Sequence, residues 1–133
     1  MTAFTMSTTV AAQYDETVAR VREALADAGF GVLTEIDIKA TLKAKLDVDV
    51  EPKIILGACR PQLAHQALTA DPRVAALLPC NVVVSADGPN SSLVEIMDPS
   101  VMEDFTGTAE LGPIAADAKE RLSGVLVTLT EGA

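Results

Sequence analysis

Residues 80–97 read CNVVVSADGPNSSLVEIM, and the fold is decided here. Pro79 breaks the apolar run Val74–Leu78, and a residue before proline is driven out of the helical region. The chain therefore enters a strand at Cys80 that continues through Val82, Val83 and Val84. Asp87-Gly88-Pro89-Asn90 then supplies the residues of a tight reversal, and Leu93 to Met97 follows as the returning strand. Strands joined this closely pair antiparallel.

Working outward toward the N-terminus, Lys53 to Ala58 holds the short apolar burst Ile54-Ile55-Leu56, which ends at Gly57 as that of a buried central strand would. Pro61 opens a helix that continues through Ala70 and closes at Asp71-Pro72, because proline fits the first helical position without losing a needed donor. Earlier still, Phe30 to Ile36 alternates through Val32, Thr34 and Ile36 as a strand. Lys39 to Leu46 offers one or two helical turns, and Asp47, Asp49 and Glu51 mark a polar connection. From Asp15 to Ala28, Val18, Val21, Leu25 and Ala28 recur at helical spacing, with Asp15 and Glu16 at the positive start and Gly29 as the stop. Thr5 to Ala11 is a β-prone run that reads as a first strand.

Toward the C-terminus, Asp98-Pro99 reads as an N-cap with proline at the first helical position, leading a short helix through Phe105. Leu111, Ile114, Ala115, Ala118, Leu122, Val125, Leu126 and Leu129 then define one face of a long terminal helix that must pack on the sheet. Strands and helices lack the regular alternation of a doubly wound sheet. The expectation is an α+β fold: a mostly antiparallel sheet with helices packed on one face, in β-α-β(4)-α order with short extra helices. Residues 1–133 form one domain, since 133 residues with 49% hydrophobic content supply a single core.

Composition excludes some partners. Ten basic against nineteen acidic residues give a net charge of -9, so a polyanion is repelled. The aromatic residues are Phe4, Tyr14, Phe30 and Phe105, too few to form stacking platforms for single strands, and no nucleic-acid partner is expected. No apolar run approaches the roughly 20 residues of a membrane span, and the first residues lack a signal peptide's basic start, so no membrane partner and a cytoplasmic location are expected. There the two cysteines would be reduced thiols. A mean hydropathy of +0.30 is high for a small domain and points to apolar surface covered by a second copy, a homodimer.

The chemistry concentrates around Cys59 and Cys80. Cys59 precedes by two residues the Pro61 that opens a helix, where backbone N–H groups and the helix dipole favour an anion. With Arg60 beside it, its thiol pKa is expected to move down. Antiparallel pairing of the strands ending at Cys59 and starting at Cys80 would bring the two thiols to one end of the sheet. Such a pair suits redox exchange or a soft ion such as Cu(I); equally, cysteine is at home as a small buried hydrophobe. There is no Cys-x-x-Cys, and His65 plus two cysteines cannot complete a tetrahedral zinc site unaided.

Other groups carry weaker signals. His65, four residues after Pro61, points toward the same end from the helix, although a lone half-exposed histidine has no fixed task. Lys39, Lys43 and Lys45 form a basic cluster that would hold an anion or form a solvated face balanced by Asp47 and Asp49, the preferred reading. Glu95, Asp98, Glu103 and Asp104 surround a helix start that accounts for their charge. Gly29-Phe30-Gly31 is a helix stop and strand entry, not a phosphate loop, and no Gly-x-Ser-x-Gly elbow exists.

Gly57-Ala58-Cys59-Arg60-Pro61, followed by Leu77-Leu78-Pro79-Cys80-Asn81-Val82, resembles the bacterial and archaeal domain-of-unknown-function family numbered 302. Asp37-Ile38-Lys39-Ala40-Thr41-Leu42 and Asp98-Pro99 are similar to it as well, and the resemblance runs from about Thr17 to Leu129. It implies a β-α-β(4)-α fold of the TATA-binding-protein-like type, often assembled as a homodimer, with no established activity. Many relatives carry Gly-Asn-Pro where this chain has Ala58-Cys59-Arg60-Pro61. A thiol function would thus belong to a branch of the family, and Arg60 stands in place of an asparagine.

Three functional readings follow. In the first, a non-catalytic dimeric domain uses Cys59 and Cys80 for a soft metal ion or a redox response, with Arg60, Asn81 and His65 as neighbouring candidates. In the second, a binding protein or enzyme holds a small organic ligand in an apolar pocket between sheet and terminal helix. In the third, a partner-binding module has inert cysteines.

Overall fold

A computed structural model describes residues 3–131. Strand β1 (Thr5–Val10) leads into helix α1 (Tyr14–Asp27), β2 (Gly31–Asp37) and α2 (Ile38–Leu46). Strand β3 (Lys53–Cys59), α3 (Pro61–Ala70) and a 3₁₀ turn over Pro72–Leu77 come next. Strands β4 (Cys80–Ala86) and β5 (Ser92–Met97) precede α4 (Val101–Thr106) and the long α5 (Leu111–Glu131). The five strands lie in the order β1-β5-β4-β3-β2, every neighbouring pair antiparallel. The fold is therefore α+β, with the expected β-α-β(4)-α order, α2 and α3 inserted between strands and α4 between β5 and α5.

The residues that form α1 also delimit it. The Gln13 side chain accepts from the Asp15 amide at 2.9 Å, and Gly29, at φ 84°, takes the left-handed conformation that ends the helix. Asp37 caps α2 by accepting from the Ala40 amide at 2.9 Å, so the lysine-bearing segment is a full nine-residue helix. At the start of α4, Asp98 Oδ1 accepts from the Ser100 amide at 2.9 Å, but the α-helix begins only at Val101. The intervening turn is closed by Val101 N–H to Asp98 C=O and Met102 N–H to Pro99 C=O, which moves the start two residues beyond the proline.

Alternation fails along β2, which is an edge strand. Its register against β3 slips between Val32 and Thr34, so Leu33 is inserted as a bulge and the residues beyond it change face. Val32 pairs with the buried Ala58, whereas Ile36 pairs with Ile55 on the opposite face and is 47% exposed. Glu35, opposite Leu56, faces α1 and reaches Arg22 at 2.7 Å.

Two apolar clusters carry the packing. The larger buries Leu56, Val82, Val84, Val94 and Ile96 of the sheet beneath Val21 and Leu25 of α1 and Leu122, Val125 and Leu129 of α5. The smaller joins Ala67, Val74, Met102, Leu111 and Ala115 beyond one end of the sheet. Over it, Asp71 ties the 3₁₀ turn to the loop before α5: its carboxylate accepts from the Arg73 guanidinium at 2.7 Å and from Thr108 Oγ1 at 2.7 Å. The Arg73 and Thr108 donors hold the Asp71 carboxyl well below the usual carboxylate range. Among the described residues, no helix is long and apolar enough to cross a membrane.

Candidate functional site

The β3–β4 register aligns Ala58 with Cys80, one residue short of Cys59, so the strands deliver both cysteines to the same end of the sheet. Both are free thiols, Cys59 half-buried and Cys80 buried. They line a single cavity of about 30 Å³. Phe30 and Ala58 form its sheet side, Leu63 and Ala67 of α3 its roof, and Met102 and Ala118 close it. A space of this size is on the scale of one water-sized occupant and does not admit an organic ligand as folded.

Arg60, the residue before α3, also borders the cavity. Its guanidinium lies across Gly29, where an added Cβ would collide with Nη1. The charge expected to act on Cys59 thus also leans over the C-terminal, electronegative end of α1. The thiol pKa moves opposite to expectation. Burial pushes Cys59 up, because withdrawing the thiol from water disfavours the thiolate. Burial pushes Cys80 up to about 11, and the neighbouring Cys59 adds to the shift.

The other sequence candidates lie outside this cavity. Asn81 follows Cys80 but pairs with Gly57 and is exposed, because successive strand residues point to opposite faces. His65 is exposed on α3, whose buried residues are Leu63 and Ala67. Among the described residues, no group of three or more His, Cys, Asp or Glu is placed to hold a metal ion. Two of the α2 lysines are engaged locally: Lys39 donates to Val50 C=O at 2.9 Å, and Lys43 meets Asp47 at 2.8 Å and Asp49 at 3.5 Å.

Sequence reasoning did not bring the residues that close the cavity to the cysteines. Met102, Ile114 and Ala118 are remote from the cysteines in sequence, and only helical periodicity marked the last two as inward-facing. Gly57 carries a second unread constraint: an added Cβ would meet Thr34 Oγ1 and lie 2.7 Å from Pro79 Cγ. Glycine is required there because a side chain on β2 and the proline before β4 converge over it.

The pair of thiols offers two soft donors in surroundings that are otherwise apolar except for Arg60. That chemistry fits a two-coordinate soft ion better than an ion needing four hard or borderline ligands.

The family described as Domain of unknown function DUF302 matches residues 6–129, a span that starts earlier than the motifs indicated and takes in nearly all of β1. A similar solved structure is the crystal structure of an uncharacterized conserved DUF302 protein from Bacillus stearothermophilus. It is 30% identical, with a TM-score of 0.86 over 95% of this chain and 98% of that one. No curated protein matches this chain.

Proposed function

Because the chain belongs to the DUF302 family, whose description carries no activity, its task must be read from its own side chains, and we propose that it binds a soft monovalent cation of the Cu(I) class between Cys59 and Cys80. The observation that carries this reading is that both thiols line one small, largely apolar cavity. Two thiolates satisfy a soft d¹⁰ cation in near-linear geometry, and no third ligand of the kind zinc needs is placed beside them among the described residues.

Proton balance gives the reading its signature. Both thiols are protonated at neutral pH, as ordinary thiols are, and burial pushes their pKa further up, so uptake of one cation releases two protons and leaves a site of net charge −1. Arg60, bordering the cavity, offsets that charge. Apparent affinity should then rise about 100-fold per pH unit across neutrality.

The test is anaerobic competition for Cu(I) against a chromophoric chelator. One equivalent taken up by the native chain, lost in Cys59→Ser and in Cys80→Ser and retained in His65→Ala, supports the proposal. Equal uptake by the double serine variant overturns it. So does a native chain that takes up no Cu(I) yet forms a Cys59–Cys80 disulfide under mild oxidant, which would assign the pair to redox response.

A further inference from the structure

The two cysteines share one cavity but differ in exposure. Cys59 ends β3 and is half-buried, and Arg60 follows it at the cavity's border. Cys80 is only 6% exposed, in a space that Leu63, Ala67 and Met102 help to enclose. That space, about 30 Å³, takes an ion but not the ligands that deliver it. A soft cation travels on soft donors, which hold it more tightly than water does. Whatever ligands accompany it must therefore be shed at the mouth of the cavity, one at a time. A chelator that surrounds the ion leaves no side open for this exchange. Two monodentate thiolates do, because a two-coordinate ion accepts a third sulfur from its flank.

We propose, on the basis of the Cu(I) reading above, that the site is loaded by an anionic complex of Cu(I) with a low-molecular-weight thiol, by stepwise exchange that begins at Cys59 and ends at Cys80. In the first step the Cys59 sulfur bonds to copper, one carrier thiolate is released, and it leaves with the Cys59 proton. In the second step the Cys80 sulfur bonds to copper, and the other carrier thiolate leaves with the Cys80 proton. Two carrier thiols depart, copper remains Cu(I), and the charge of the bis-thiolate passes unchanged from carrier to site.

Charge suits this carrier. Of the residues that line the cavity, Arg60 alone is charged, and it forms no ion pair among the described residues. Asp15, Asp37, Glu51 and Asp87 gather instead at the opposite end of the sheet. In a chain of net charge -9, an anionic complex thus meets a positive group at the thiol end.

The test supplies Cu(I) to the full chain anaerobically, either as its glutathione complex or as its cationic acetonitrile complex, and reads the products by native mass spectrometry. From the glutathione complex, the native chain should finish with one copper and no glutathione. Cys80→Ala should stop halfway, holding one copper and one glutathione in a species that a chromophoric chelator strips. Cys59→Ala should hold neither. Arg60→Glu, with both cysteines present, should slow transfer from the glutathione complex at least about 10-fold relative to transfer from the acetonitrile complex, and decides the question should a cysteine variant lose its fold. A native chain filled from the acetonitrile complex but not from the glutathione complex overturns this inference and leaves the Cu(I) site standing. So does a mixed species formed by Cys59→Ala but not by Cys80→Ala, or an unchanged ratio of rates in Arg60→Glu. No copper taken from either donor overturns the Cu(I) reading, and this inference with it.

Discussion

The two ends of the sheet receive opposite treatment from the same strands. At the end bearing Cys59 and Cys80, α3, α4 and α5 enclose about 30 Å³ of largely apolar space. At the other end, Asp15, Asp37, Glu51 and Asp87 border an open groove of about 970 Å³. The difference begins in connection length. Residues 60–79, between β3 and β4, form a helix and a 3₁₀ turn that roof the closed end, whereas at the open end only residues 87–91 join β4 to β5, and α2, between β2 and β3, has no buried residue with which to cover it. Both ends hold groups with raised pKa, but for different reasons. At the closed end burial dominates, without a carboxylate. At the open end Tyr14 is raised by burial and then by Asp37, Asp15 and Glu35. A sheet end thus becomes dry or wet according to what its connections carry over it, not according to its strands.

The contrast breaks most severely if the roof is removed. Leu111 is fully buried in the smaller cluster, and Leu111→Ala should cost about 2–5 kcal/mol by chemical denaturation. It should also speed alkylation of Cys59 and Cys80 in the folded state; unchanged alkylation would show that the roof does not govern access. Alkaline pH gives a somewhat smaller effect. Because the folded pKa of Cys80 is raised to about 11 from 9.0, its contribution is fully present below pH 9 and is lost as pH rises toward 11. Unfolding free energy should fall by an amount on the order of 2–3 kcal/mol across that window, and Cys80→Ala should flatten the slope. At the open end, Glu51→Gln should change stability by no more than about 0.5 kcal/mol, as expected for an exposed side chain that forms no ion pair among the described residues. A larger loss would mean that this end also stores packing energy.

Much of the fold was legible from residue patterns. The reversal at Asp87–Asn90 dictated antiparallel pairing, and the spacing of Leu111, Ala115, Ala118, Leu122, Val125 and Leu129 correctly marked the buried face of α5. Both signals are local, since a turn and a helical stripe are each specified by residues a few positions apart. The meeting of Cys59 and Cys80 was also legible, because it follows from strand direction alone. The β2 alternation misled because one inserted residue, Leu33, reverses every face beyond it, and a bulge has no periodic signature of its own.

The sequence by itself determined the order of elements, the antiparallel sheet and the end of it where the thiols gather, since these depend on turns and periodicity within short windows. Only the tertiary structure decided that those thiols rise in pKa instead of falling. Helix polarity and Arg60 are close in sequence and argue for the thiolate; Met102, Ile114 and Ala118 arrive from distant segments and exclude water. Desolvation depends on everything that surrounds a group, and most of what surrounds Cys80 lies far from it along the chain.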